Sequence, residues 1–151
     1  MTKIGLLGAG RIGQVHARAV SSVPSAQLVA VADPMPAAAE ALRDTYGCEI
    51  RTIAQIRDSA DIDAVIICTP TDTHADLIEA FVKAGKAVFC EKPIDLSVPR
   101  AQACADAVKA AGVACMIGFQ RRFDPTFNEA RTRMDRGDIG KPEMLVVTSR
   151  D

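Results

Sequence analysis

The chain alternates short apolar runs with longer segments whose apolar residues recur at helical spacing. Lys3–Leu7 is β-rich and stops at Gly8, and Arg11–Ser21 then carries Ile12, Val15, Ala19 and Val20 on a helical period. Gln27–Ala32 reads as a second strand and Pro36–Tyr46 as an alanine-rich helix closed by Gly47. Cys48–Arg51 reads as a short strand and Ile53–Arg57 as a short helix. Ala64–Cys68 is an unbroken apolar run, the pattern of a strand buried on both faces. Asp72–Ala84 predicts a helix ending at Gly85, Ala87–Cys90 a strand, and Val98–Ala111 a helix closed by Gly112. Val113–Ile117 predicts a strand, Asp124–Arg136 a helix stopped by Gly137, and Glu143–Ser149 a last strand. Parallel strands need crossover connections, and this repeated β-α order supplies helices for them. The expected fold is α/β, a doubly wound parallel sheet with helices on both faces.

Composition narrows the partners. With 151 residues, 48% of them hydrophobic, the chain is long enough for one domain with a real core. Its 18 basic residues are offset by 19 acidic ones without a basic cluster, and aromatics make up 4% with no Trp. Nucleic-acid binding would need phosphate-neutralising patches or stacking platforms, so it is excluded as the main role. No apolar stretch approaches the ~18–20 residues that cross a bilayer, and the N-terminus enters a strand directly, unlike a signal peptide. Cys48, Cys68, Cys90, Cys104 and Cys115 are odd in number and lack a C-x-x-C pair, which reads as reduced, buried thiols of a cytoplasmic protein rather than a metal site.

The chemistry begins at Gly8-Ala9-Gly10-Arg11-Ile12-Gly13, a G-x-G-x-x-G loop that follows a strand and opens a helix. Gly8 permits the tight turn, Gly10 leaves room for a pyrophosphate, and Gly13 lets helix and strand pack closely. The phosphates would then sit on the positive helix end. Asp33 closes the second strand 20 residues beyond Gly13, where a carboxylate can accept from adenosine ribose hydroxyls and repel a 2′-phosphate. A Rossmann domain that takes NAD in preference to NADP is expected.

A rarer feature is Cys90-Glu91-Lys92-Pro93 after the fifth strand. Together with His16 behind the glycine loop, Thr69-Pro70-Thr71-Asp72-Thr73-His74, and Gly118-Phe119-Gln120-Arg121-Arg122-Phe123-Asp124-Pro125, it resembles the glucose-fructose oxidoreductase/inositol dehydrogenase (Gfo/Idh/MocA) family over the whole chain. The resemblance implies NAD-dependent hydride removal from a secondary alcohol of a small polyol, inositol by its nearest branch. Lys92 would then meet the reacting hydroxyl. An ammonium can stabilise a developing alkoxide, and a desolvated lysine can join a proton relay. Cofactor contacts are expected from Gly8, Gly10, Arg11, Ile12, Gly13, Asp33, Thr69, Pro70, His74, Glu91, Lys92 and Arg121, with no metal. Pro93 can follow Lys92 through a cis bond. His16 is read as a packing residue, and neither histidine has a carboxylate partner visible in the sequence.

By the same resemblance, residues 1–122 form the NAD-binding domain. Residues 123–151 are a helix and a strand leading to a second domain that holds most of the polyol pocket and an Asp-x-x-x-His general base. The chain ends where that domain would begin, so it is expected to bind NAD and turn over little, with Met144-Leu145-Val146-Val147 left as a severed strand prone to edge pairing. The complete enzyme is expected to be a homotetramer without a membrane partner. Other sugar or polyol dehydrogenases, and a non-catalytic NAD-binding module, remain alternatives.

Overall fold

Successive residues of β1 (Thr2–Leu7) send their side chains to opposite faces, and the core divides accordingly. Leu6 packs with Ala17 and Val20 of α1 (Arg11–Ser21) and with Ala39 and Leu42 of α2 (Pro36–Tyr46). Leu7 packs on the other face with Ile78, Phe81 and Val82 of α4 (His74–Lys83) and Cys104 of α5 (Val98–Ala111). Burial on both faces explains why the strands read as continuous apolar runs.

The computed structural model describes residues 1–148. After β1 and α1 come β2 (Ala26–Ala32), α2, β3 (Glu49–Ile50), α3 (Ile53–Asp58), β4 (Ala64–Ile67), α4, β5 (Ala87–Cys90), α5, β6 (Cys115–Ile117) and α6 (Pro125–Arg136). Six parallel strands are ordered β3-β2-β1-β4-β5-β6. The chain winds outward from β1 to β3, returns through α3, and winds outward again from β4. Between β1 and β4 the strand order reverses, and ligands of such sheets bind at the carboxyl ends beside that reversal.

The chain divides into two compact units, Met1–Gly118 and Phe119–Asp151. The first contains the whole sheet. The second contains a 3-10 turn at Gln120–Arg122 and α6, which Asp124 caps by accepting from the N–H groups of Thr126 and Phe127.

Most boundaries agree with the periodicity to within a residue or two; two expectations do not. Asp72–Ala84 is not one helix. Pro70 O accepts both the N–H (3.0 Å) and the hydroxyl (2.7 Å) of Thr73, which closes a 3-10 turn at Thr71–Thr73 before α4 starts at His74. The expected strand Glu143–Ser149 is not formed over 143–148, and Ser149 lies outside the described residues. Met144, Leu145, Val146 and Val147 are exposed. A strand exists only through hydrogen bonds to a neighbour, and none of the six sheet strands pairs with this segment.

One charged group is structural. Lys86, buried just before β5, donates from Nζ to the carbonyls of Ser59 (2.6 Å) and Ile62 (2.8 Å) and so ties down the return loop ahead of β4. Lys86→Met should strand both acceptors and cost about 1–3 kcal/mol. A lower urea midpoint with an unchanged slope would confirm it, and unaltered stability would refute it.

Candidate functional site

Gly8 leaves β1 with φ +92°, its N–H donating to Ala32 O at 2.8 Å. A Cβ there would stand 2.7 Å from the Cys68 carbonyl oxygen, so conformation and space both require glycine. A Cβ on Gly13 would lie 2.0 Å from Gly8 O, because α1 runs hard against the strand end. Gly10 is different, since a Cβ there would meet nothing within 4 Å. The protein's own packing does not demand glycine at that position, whereas a ligand lying on the loop would. Gly10 also gives α1 no side-chain cap, and the first turn carries no acid. The N-terminal N–H groups and positive end of α1 are therefore available to an anion, with Arg11 and Ile12 exposed beside them.

Asp33, at the end of β2, accepts from Ala9 N–H through Oδ2 (2.6 Å) and from Met35 N–H through Oδ1 (2.8 Å). This binds the end of β2 to the glycine loop. Each carboxylate oxygen keeps a lone pair for a ribose hydroxyl. Beside it opens a cavity of about 680 Å³, bordered by Ile50 at the end of β3, by Arg51 and Ile53 after it, and by Thr69, Pro70 and Leu77. Its apolar walls suit the flat face of a base, and Asp33 stands at its edge.

The remaining site residues follow β4 and β5. Cys68 N–H donates to Leu7 O (2.7 Å) and Glu91 N–H to Ile67 O (3.0 Å), so the ends of β1, β4 and β5 are in step. His74 is buried, with Nε2 2.8 Å from Thr69 O and Nδ1 2.7 Å from Pro93 O. It therefore staples the loop after β4 to the loop after β5. Thr69 and Thr73 join the same network through their hydroxyls (2.6 Å). The Lys92-Pro93 bond is cis. Lys92 is exposed, so the burial that a proton-relaying lysine needs is not provided by this chain.

The structure adds a contact that the sequence does not display. His16 does have a carboxylate partner, since Nε2 lies 2.8 Å from Glu91 Oε1. The imidazole also packs on Phe89, with ring centroids 5.0 Å apart. The partners are 75 residues apart, and no local pattern announces such a pair. His16 links the helix behind the phosphate loop to the residue before Lys92. Burial, with help from Glu91, pushes the thiol of Cys68, next to the glycine loop, up to about 12, which favours the protonated form. In the second unit, Arg121 lies in the 3-10 turn with its guanidinium 5.1 Å from the Phe127 ring centroid. Among the described residues no cluster of His, Cys, Asp or Glu could hold a metal ion, and no helix is long and apolar enough to cross a membrane.

Residues 2–119 match the oxidoreductase family GFO_IDH_MocA, described as an NAD-binding Rossmann fold. The chain is 62% identical over 149 residues to an inositol 2-dehydrogenase of Rhizobium meliloti (strain 1021), covering 99% of this chain and 45% of that protein. It is 44% identical over 149 residues to a scyllo-inositol 2-dehydrogenase (NAD(+)) of Bacillus subtilis (strain 168), covering 97% and 44%. The crystal structure of scyllo-inositol dehydrogenase from Lactobacillus casei with bound NAD(H) and scyllo-inositol superposes with a TM-score of 0.88 at 33% identity, covering 93% of this chain and 42% of that one. The chain thus spans less than half the length of these relatives.

The glycines separate a packing role from a binding role. Gly13→Ala should lower the thermal midpoint by several degrees through overpacking. Gly10→Ala should keep the midpoint while weakening NAD at least about tenfold, since its methyl group would occupy ligand space. Calorimetric titration and thermal unfolding of both variants test this, and equal effects on stability would contradict it.

Proposed function

The chain belongs to the GFO_IDH_MocA family of oxidoreductases with an NAD-binding Rossmann fold, and from that premise we propose that it is the cofactor half of an NAD-dependent inositol 2-dehydrogenase. The observation that carries this reading is the placement of Lys92. It sits at the carboxyl end of β5, and the loops of β4 and β5 are joined there by His74. Glu91 beside it is paired with His16 of the glycine-loop helix. Both inositol dehydrogenases matched above in sequence support the substrate class.

Oxidation of a secondary alcohol breaks a C–H bond, whose electron pair leaves as hydride, and an O–H bond, whose proton goes to a base. NAD, when bound, supplies the hydride acceptor. Gly8, Gly10, Gly13 and the free N-terminus of α1 hold the pyrophosphate, with Arg11 and Ile12 flanking it, and Asp33 holds the adenosine ribose. Thr69, Pro70 and Glu91 line the crevice toward the nicotinamide, and His74 fixes that wall from beneath. Lys92 donates to the substrate hydroxyl and stabilises the oxygen as negative charge develops on it.

The base that takes the hydroxyl proton belongs to a second domain beyond residue 151, toward which residues 123–151 lead, and the complete enzyme is a homotetramer. The 151-residue chain alone binds NAD without inositol-dependent NADH formation.

In the complete enzyme, Lys92→Ala should lower kcat by roughly 10²-fold or more while the Kd for NAD stays within a factor of about two. Steady-state kinetics with myo-inositol and calorimetric NAD titration measure the two effects. Unchanged turnover would remove Lys92 from the mechanism, and lost NAD binding would reassign it to the cofactor.

A further inference from the structure

Arg51 is missing from the set of cofactor contacts, yet it lines the same cavity as Asp33. Its backbone N–H donates to Val31 O at 2.9 Å, which anchors it beside the end of β2, two residues before Asp33. On its other side it borders a smaller cavity together with Glu49, Gln55, Asp58 and Ser59. A guanidinium at this place would suit the 2′-phosphate of NADP, because its N–H fork binds phosphate oxygens two at a time.

In this chain the fork is already occupied. Arg51 Nε donates to Glu49 Oε2 at 2.9 Å. One terminal nitrogen donates to Asp61 Oδ1 at 2.9 Å and to Ser59 Oγ at 3.0 Å, and the other donates to Asp61 Oδ2 at 2.9 Å. Four of the five guanidinium N–H donors are therefore used. Asp61 is itself held by the Ser59 hydroxyl. The arginine side chain is 17% exposed, whereas Glu49 is 66% and Asp61 41% exposed. Asp33 is the carboxylate that lines the cavity, while Glu49 and Asp61 hold the Arg51 guanidinium by ion pairs. A dianionic phosphate there would meet the Asp33 carboxylate and a guanidinium whose charge is already matched by Glu49 and Asp61, while a neutral ribose hydroxyl can donate to Asp33.

We propose that Arg51 is a latent 2′-phosphate receptor caged by Glu49 and Asp61, and that this cage acts with Asp33 to set the preference for NAD over NADP. The proposal rests on reading the cavity beside Asp33 as the adenosine end of the cofactor crevice. Asp33 repels the phosphate directly, and the cage withholds the cation that would attract it. Removing Asp33 alone therefore leaves NADP without a receptor, and releasing Arg51 supplies one.

The test is calorimetric titration of NAD and NADP into the 151-residue chain and three variants. These are Asp33→Ser, Asp33→Ser with Glu49→Gln and Asp61→Asn, and the latter with Arg51→Gln added. The ratio of the NADP to the NAD dissociation constant should fall at least tenfold when Glu49→Gln and Asp61→Asn are added to Asp33→Ser, and Arg51→Gln should reverse that fall. An unchanged ratio, or a gain that survives Arg51→Gln, overturns the proposal. If thermal unfolding shows that Asp61→Asn prevents folding, Asp33→Ser with Glu49→Gln takes its place, Glu49 being the more exposed partner. A smaller shift in the same direction supports the proposal and no shift overturns it. A parent chain that binds NAD while the ratio stays fixed defeats the cage alone. A parent chain that binds neither dinucleotide defeats the cofactor reading beneath it.

Discussion

A methyl group on Gly13 would stand 2.0 Å from the carbonyl oxygen of Gly8, well inside van der Waals contact. That closeness sets where α1 starts relative to β1, and much of the site follows from it. The strand end turns through Gly8, whose N–H reaches across to β2 at Ala32. The same residue leaves no room for a side chain against Cys68 at the end of β4. β1, β2 and β4 thus meet at one point, the reversal of strand order where an open parallel sheet takes its ligand. The positive end of α1 is directed there, and Asp33 is tied to the loop by Ala9 N–H. The open end of α1 and the tie from Asp33 to the glycine loop are two consequences of one packing constraint.

The two histidines carry that arrangement outward to β5. His74 is almost wholly buried, and each ring nitrogen has a carbonyl oxygen within 2.8 Å, one from Thr69 and one from Pro93. Losing the ring would remove the donated hydrogen bond that one of these carbonyls receives, at a cost of about 1–3 kcal/mol. His16 works from the opposite side, joining α1 to Glu91 while resting on Phe89. Gly118 closes the same corner, since a Cβ there would press on Phe89 and Glu91 at 3.1 and 3.3 Å. The path from the phosphate loop to Lys92 is therefore a series of short contacts through α1, His16 and Glu91.

The strands were legible because burial on both faces leaves continuous apolar runs, as at Ala64–Ile67 and Ala87–Cys90. The long helices were legible because Gly47, Gly112 and Gly137 adopt the left-handed conformation that ends them. The glycine loop was legible because its requirements are local. Contacts between residues far apart in the chain were not. His16 with Glu91 carries no periodic signature, because the approach of partners 75 residues apart depends on the completed sheet. The start of α4 was misread because Thr73 can satisfy Pro70 O in a tighter turn. Met144–Val147 was misread for the opposite reason, since strand propensity without a neighbour forms no ladder.

The buried surface is unevenly distributed along the chain. The two core clusters draw their buried side chains from β1 through α5. α6, by contrast, buries none of its residues. The packing that orders the glycine loop, Asp33 and the stapled loops therefore lies within Met1–Gly118, so the geometry for holding a dinucleotide is made by that unit itself. Lys92 gains only its position from this scaffold, because it remains exposed. Exposure weakens every electrostatic interaction an ammonium can make with a developing alkoxide, since water screens it. An exposed ammonium at this position is thus held in place by the scaffold without being desolvated by it.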